Sequence, residues 1–311
     1  MSPFCILSLL FFSPRVFSHP KRAHILPRES NLNPYPDKRL TFKQDGTFKL
    51  TVFSDLHFGE NPWEAWGPQH DAASVQLFHD ILGTESPDFA VINGDLITGE
   101  NQIFGPFKAR NIPFATTHGN HDNSATITHL AEIQQIQQKF PFSYTRTGPS
   151  GVGGFGGEGN YWVPIYAKAD DQKPALVIWF FDSRGGKPPS SDPSVTMADW
   201  VDPSVADWIT SESAAMEQTW GSSDQRGALV FVHIPPNAIQ AVQGNVNAQK
   251  NPGMNEDGLG AGSVQNINDG PFWDALTSKI PNLHAIISGH GMFEFITISL
   301  KVAFIFPRSR K

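Results

Sequence analysis

Short apolar runs, each ending on a glycine or a potential ligand, constrain this chain more than any other feature. Phe48-Lys49-Leu50-Thr51-Val52-Phe53 alternates as a strand does and stops at Ser54-Asp55. Phe89-Ala90-Val91-Ile92 reads as a buried strand and stops at Asn93-Gly94-Asp95. Ile112 to Thr116 runs into His118-Gly119-Asn120-His121-Asp122. Ala175 to Phe181 ends at Asp182, Ala228 to Val232 at His233, and Ala285 to Ile287 at Ser288-Gly289-His290. Helical patterns over 72–83 and 126–140 lie between the early runs. Strands alternating with helices predict α/β architecture. In open α/β sheets, sites gather outside the carboxyl ends of the strands.

The 39% hydrophobic content suffices for a substantial core, and 27 Gly with 25 Pro indicate a loop-rich protein, not a helical bundle. Against 30 acidic residues stand 23 basic ones, a net charge of −7 with no basic stripe, so long nucleic acid is not an expected partner. The run Phe4 to Phe12 (FCILSLLFF) is either the apolar core of a secretory signal cut after Ser18 or a disordered N-terminus. The signal reading, over 1–18, predicts a secreted or vacuolar protein. It also removes Cys5, the only cysteine, so disulfides would not stabilise the mature chain. No later apolar stretch approaches the ~20 residues needed to span a bilayer. Residues 19–45 read as an extended lead-in, 148–160 (GPSGVGGFGGEGN) as a mobile glycine-rich loop, and 244–270 as a second long polar loop.

Several strand ends carry chemistry. Asp55 and His57 are two apart, and period-two geometry would point both to one face, where they could share a cation. Alone the pair is weak, since Asp-x-His arises by chance in about one of every two such chains. Asp95 follows a second strand and can bridge two cations with its carboxylate, while Gly94 permits a tight turn. Gly119-Asn120-His121-Asp122 is far more specific, with a chance frequency on the order of one in a thousand. Asn120 can ligate a hard cation through its amide oxygen, His121 can stand beside that cation without binding it, and Asp122 can hold the His121 ring as an orienting carboxylate. His233 and His290 each follow an apolar run in the same position as the other candidates. His118 either lines the pocket or is a turn histidine. His70, His79, His129 and His284 read as surface or helix residues, and Tyr161 as packing at a strand entry.

Together, Asp55-Leu56-His57, Gly94-Asp95, Gly119-Asn120-His121-Asp122, His233 and Gly289-His290 resemble the calcineurin-like metallophosphoesterase superfamily. The strings GDLITGEN, FFDSRG, FVHIPP and NPGMNEDG resemble fungal and plant proteins related to purple acid phosphatases, of the Dcr2-like type. The resemblance spans about 46–290. It implies a β-sandwich flanked by helices, with the site at the C-terminal ends of the strands. It also implies two divalent or trivalent ions: one held by Asp55, His57 and Asp95, the other by Asp95, Asn120, His233 and His290. Water activated by the pair would attack phosphorus in line, and His121 would give a proton to the leaving oxygen. The expected substrate is a phosphate monoester, on a small molecule or a phosphoprotein. The alternatives are a phosphodiesterase acting on nucleotides and a catalytically impaired phosphatase-like protein, either a truncated product or a binding module.

Two departures from the family stand out. Purple acid phosphatases carry an iron-binding tyrosine three residues after the bridging aspartate, where this chain has Thr98, leaving Fe, Mn or Zn open. The family motif Gly-His-x-His is here Gly289-His290-Gly291-Met292, and no histidine follows. Residues 291–311 therefore read as an aberrant tail, produced by a retained intron or frameshift or by genuine divergence.

Overall fold

The computed structural model describes residues 32–96, 100–124, 127–190, 192, 194–243 and 264–290, with the backbone alone at 100–102, 225, 242–243 and 298–303. The 1–18 segment, Thr98, most of the 244–270 loop, and Met292 lie outside the described residues, and only the start of the lead-in from Leu32 lies within them. Two sheets are present. In the first, β2 (Thr47–Phe53), β3 (Phe89–Asn93) and β4 (Phe114–Thr117) run parallel in the order β4-β3-β2. A strand from the tail, β9 (Ile298–Ala303), pairs antiparallel with β2. The second sheet has the order β1-β5-β6-β7-β8, with β1 at Leu40–Thr41, β5 at Tyr161–Tyr166, β6 at Pro174–Phe181, β7 at Gly227–Val232 and β8 at Leu283–Ile287. Of these, β6, β7 and β8 are mutually parallel.

Period-two alternation sorts the side chains into three cores. Leu50 and Val52 of β2, Phe89 and Val91 of β3, Ile178 and Phe180 of β6, and Phe231 of β7 meet between the sheets. The alternate residues Ala90 and Ile92 face outward against α1 (Gly67–Glu85), α2 (Glu100–Arg110) and α3 (His129–Lys139) through Phe78, Phe104, Phe107 and Ile136. On the far side, Trp179, Phe181, Val230 and Val232 pack on Trp208 and Met216 of α4 (Ser204–Trp220) and Phe272 of α5 (Gly270–Lys279). The result is helices, sheet, sheet, helices, the layered sandwich the resemblance implied. Each large side chain buried this way stabilises the fold by roughly 1.5–3 kcal/mol. A one-residue slip of β6 would exchange its two faces, so register is strongly specified.

The glycine-rich segment is tied down in the fold, against the mobile loop expected. Gly159 N donates to Asp182 (3.0 Å), Asn160 Nδ2 to Gly157 O (2.7 Å), and Gly148 N to Glu158 O (2.7 Å). A Cβ at Gly153 would overlap the Gly157 carbonyl, so there glycine serves close packing. Tyr161 does pack at a strand entry, and its hydroxyl also donates to Thr116 O at 2.6 Å. Among the described residues no helix is long and apolar enough to cross a membrane.

Candidate metal centre

Because β2, β3 and β4 are parallel, their carboxyl ends open on one edge, and β7 and β8 bring His233 and His290 to the same place. Asp55 and His57 arrive there by a route the alternation argument did not foresee. Both lie beyond β2 in left-handed backbone, with φ of 56° and 48°. The segment runs alongside the next strand end: Asp55 N donates to Gly94 O, His57 N to Asp95 O and Phe58 N to Leu96 O. Asp95 (φ 51°) and His290 (φ 68°) are also left-handed. Such conformations cost on the order of 1–2 kcal/mol each for residues with a Cβ. Four of the nine non-glycine residues with positive φ among those described are candidate ligands, a clustering typical of functional sites.

Asp95 is the hub. It is buried, its Oδ1 accepts from His121 N (3.0 Å), and its Oδ2 lies 3.1 Å from His233 Nε2 and 3.8 Å from His57 Nε2. His233 is fully buried and donates from Nδ1 to Asn93 O at 2.8 Å, which sets its tautomer and turns Nε2 inward. Ligand atoms of Asp95, His233 and His290 lie within 4.8 Å of one another, and so do those of His57, Asp95 and His121. Asp55 belongs to neither trio. Its carboxylate takes the Ser54 hydroxyl (2.5 Å) and the His290 amide (3.0 Å). Two glycines make the crowding possible: a Cβ on Gly94 would overlap the His233 ring, and one on Gly119 the Asp95 carboxylate.

Asp122 does not hold the His121 ring, as had been expected. Its two oxygens accept from Leu96 N and Gly119 N, each at 2.7 Å, and so close the Gly119–Asp122 turn. The carboxylate that meets His121 is Glu60, whose Oε1 lies 2.9 Å from Nδ1.

The model of the calcineurin-like phosphoesterase family matches residues 48–292. The chain belongs to that family. Phosphatase DCR2 of Saccharomyces cerevisiae is 27% identical over 246 residues, covering 72% of this chain and 41% of that protein. Probable inactive purple acid phosphatase 29 of Arabidopsis thaliana is 26% identical over 279 residues, covering 81% of this chain and 69% of that one. The chain thus spans well under half the length of the yeast relative. A dimetal phosphatase from Danio rerio aligns at 13% identity with a TM-score of 0.44, over 78% of this chain and 81% of that one.

The phosphoesterase site fits cations on its own structural terms. Asn120 Oδ1 and His233 Nε2 are buried without a hydrogen-bond partner, although such atoms are normally satisfied. The 3.1 Å approach of His233 to Asp95 has an ion-pair distance without hydrogen-bond alignment. Burial would lower the His233 pKa, but the Asp95 charge outweighs it and pushes the ring up to about 10. Burial likewise works to raise Asp95, and His233 followed by His121 overcomes it, holding the carboxyl below its usual range. Two unsatisfied ligand atoms beside a buried carboxylate suit a cation. Imidazole, carboxylate and amide oxygen together suit Fe, Mn or Zn.

Behind this site lies a buried layer that sequence reasoning missed. His129, read as a surface or helix residue, starts α3 fully buried. Its Nδ1 meets both oxygens of Asp182 (3.0 and 2.9 Å), and its Nε2 donates to Gly119 O at 2.8 Å. Burial opposes the charge on this ring, but Asp182 wins and its pKa rises; Asp182 is correspondingly lowered against its own burial. His118 is buried beside the pair, and desolvation followed by repulsion from His129 pushes it down to about 3. It is a neutral core histidine. The one available signal was Asp182, which ends an apolar run as the ligands do.

Proposed function

We propose that this chain hydrolyses phosphate monoesters at two cations. One would be held by Asp55, His57 and Asp95, the other by Asp95, Asn120, His233 and His290. The observation that carries this reading is Asp95 Oδ2 lying 3.8 Å from His57 Nε2 and 3.1 Å from His233 Nε2, within reach of both rings as a shared carboxylate would need to be. Bound there, the ions would lower the pKa of water and neutralise phosphate oxygens. The chain's own residues do the rest. Asn93 O fixes His233, the Asp122 carboxylate closes the turn that presents Asn120 and His121, and His121, on the open side of the site, hands a proton to the leaving oxygen. A small phosphorylated molecule or a phosphoprotein is the fitting substrate, and the apolar run at 4–12 supports a secretory or vacuolar route. Recovery of a chain beginning near His19 from culture medium or vacuoles would check the route.

A second reading has specific support. Met292 stands where the family motif has its last histidine, and the Arabidopsis relative is named a probable inactive phosphatase. On this reading the first ion is weak and turnover low. Recombinant chain assayed with Mn, Fe or Zn on monoester and diester substrates decides. Two bound ions with monoester turnover support the first reading, one ion with little turnover supports the second, and faster diester cleavage overturns the substrate class.

A further inference from the structure

Glu60 lies outside every motif above, yet its carboxylate meets two site imidazoles. Oε1 lies 2.9 Å from His121 Nδ1 as a hydrogen bond, and Oε2 lies 2.9 Å from His57 Nδ1. The second contact has the distance but not the alignment of a hydrogen bond. His57 Nδ1 is a buried atom with no hydrogen bond, and Glu60 is the acceptor that a small ring rotation would engage. The two rings stand edge to face with centroids 4.7 Å apart, so one carboxylate spans both. Glu60 is also anchored. Its N donates to His57 O, Phe58 is buried in the core against Phe78, and Gly59 N donates to Asp71 at the start of α1 (3.1 Å).

We infer that Glu60 is a positioning residue that holds His57 and His121 together in the Nδ1–H tautomer, tying a ligand of the first cation to the proton donor. This rests on the phosphoesterase reading. A carboxylate only accepts, so both rings can direct Nδ1–H at it while both Nε2 atoms remain free to face the site. For His57 that leaves the Nε2 lone pair on the Asp95 side. For His121 it leaves Nε2 to exchange the substrate's proton. Carboxylates in this relation to a ligating histidine usually matter 10–100-fold for metal affinity or activity.

The test uses the full chain with ¹⁵N-labelled histidine, and the variants Glu60→Gln and Glu60→Ala. A glutamine replaces one carboxylate oxygen by an NH2 that only donates, so in this geometry it can satisfy one Nδ1–H and pushes the other ring to the Nε2–H form. Alanine removes the contact without forcing a tautomer. Imidazole ¹⁵N shifts of the metal-free protein at alkaline pH should show both rings as Nδ1–H in wild type and one as Nε2–H in Glu60→Gln. Zinc titration should then show one site weakened about 10–100-fold in Glu60→Gln and the other unchanged. Wild type that binds zinc, with a Glu60→Gln variant that keeps both tautomers and both affinities, overturns this inference alone. Wild type that binds no zinc overturns the underlying reading and this inference with it. Glu60 is about a third exposed, so neither variant should threaten the fold.

Discussion

The two pockets that share Asp95 are built differently. On the His233 side the ligands are held by backbone and by buried side chains: His233 by Asn93 O, Gly289 N by His233 O, and the Asn120 turn by the Asp122 carboxylate and the His129 ring on Gly119 N and O. His233 is fully buried there. On the His57 side the holding is done by side chains. His57 and His121 are 33% and 41% exposed and lean on Glu60, itself 35% exposed. Backbone anchors carry little rotamer entropy, whereas three part-exposed side chains must each be ordered at a cost. The same shared carboxylate should therefore hold one ion tightly and the other loosely. By the family resemblance, the pocket with the weaker holding is also the one that the last histidine of Gly-His-x-His would complete, where this sequence has Met292.

Substituting His121, the proposed proton donor, should have the largest effect and test which pocket it serves. His121→Ala is expected to lower kcat by about 10²–10⁴-fold with metal content unchanged. Its ring lies in one trio with His57 and Asp95, so a ligand role is a real competitor. Stoichiometric loss of one ion on substitution, read by elemental analysis of the purified variant, would transfer His121 to the ligand set.

Next comes the buried support of the tighter pocket. Asp182→Asn leaves His129 without its counter-charge and should cost about 3–5 kcal/mol in unfolding free energy. The pH dependence has a definite sign. Asp182 is lowered, so its contribution is full above the unfolded carboxyl value near 4 and fades as pH falls through the folded value. His129 is raised, so its contribution is full below about 6.5 and fades as pH rises through the folded value. The gap between wild type and variant should be widest from about pH 4 to 6.5. Denaturant melts across pH check this, and a gap that does not vary with pH would mean the pair is not ionised.

What sequence showed and what it hid divide along the same line. Strand ends and the candidate ligands at them were legible because each lies directly after an apolar run, a local signal. The α/β class followed from apolar runs alternating with helical patterns, also local, whereas the sandwich came only with the family resemblance. Glu60 and His121 are 61 positions apart and His129 and Asp182 53, so neither partnership leaves a trace in spacing. Asp122 was assigned to its neighbour's ring because adjacency suggested it, but the amides of Leu96 and Gly119 claim its two oxygens first. The left-handed turn at Asp55 and His57 was missed for a related reason. Alternation describes strands, and β2 ends at Phe53, two residues too early.

The smallest expected effect tests the asymmetry from the opposite side, by repair. Met292→His restores the imidazole that the family motif places two residues after His290. A thioether is a soft ligand and a poor replacement around Fe, Mn or Zn with oxygen and nitrogen donors. Added alone, the histidine should raise affinity for the weaker ion, while the tighter one, with Asp95, Asn120, His233 and His290, should not change. Correct placement of the reacting groups is worth roughly 10²-fold, so turnover should rise by up to about that factor. Isothermal titration with zinc, with the monoester rate measured on the same samples, reads both quantities. If the unaltered chain already binds two ions tightly and the substitution adds nothing, the two pockets are equal, and another group completes the His57 side. Glu60 is then the first residue to examine, because its carboxylate already stands 2.9 Å from His57.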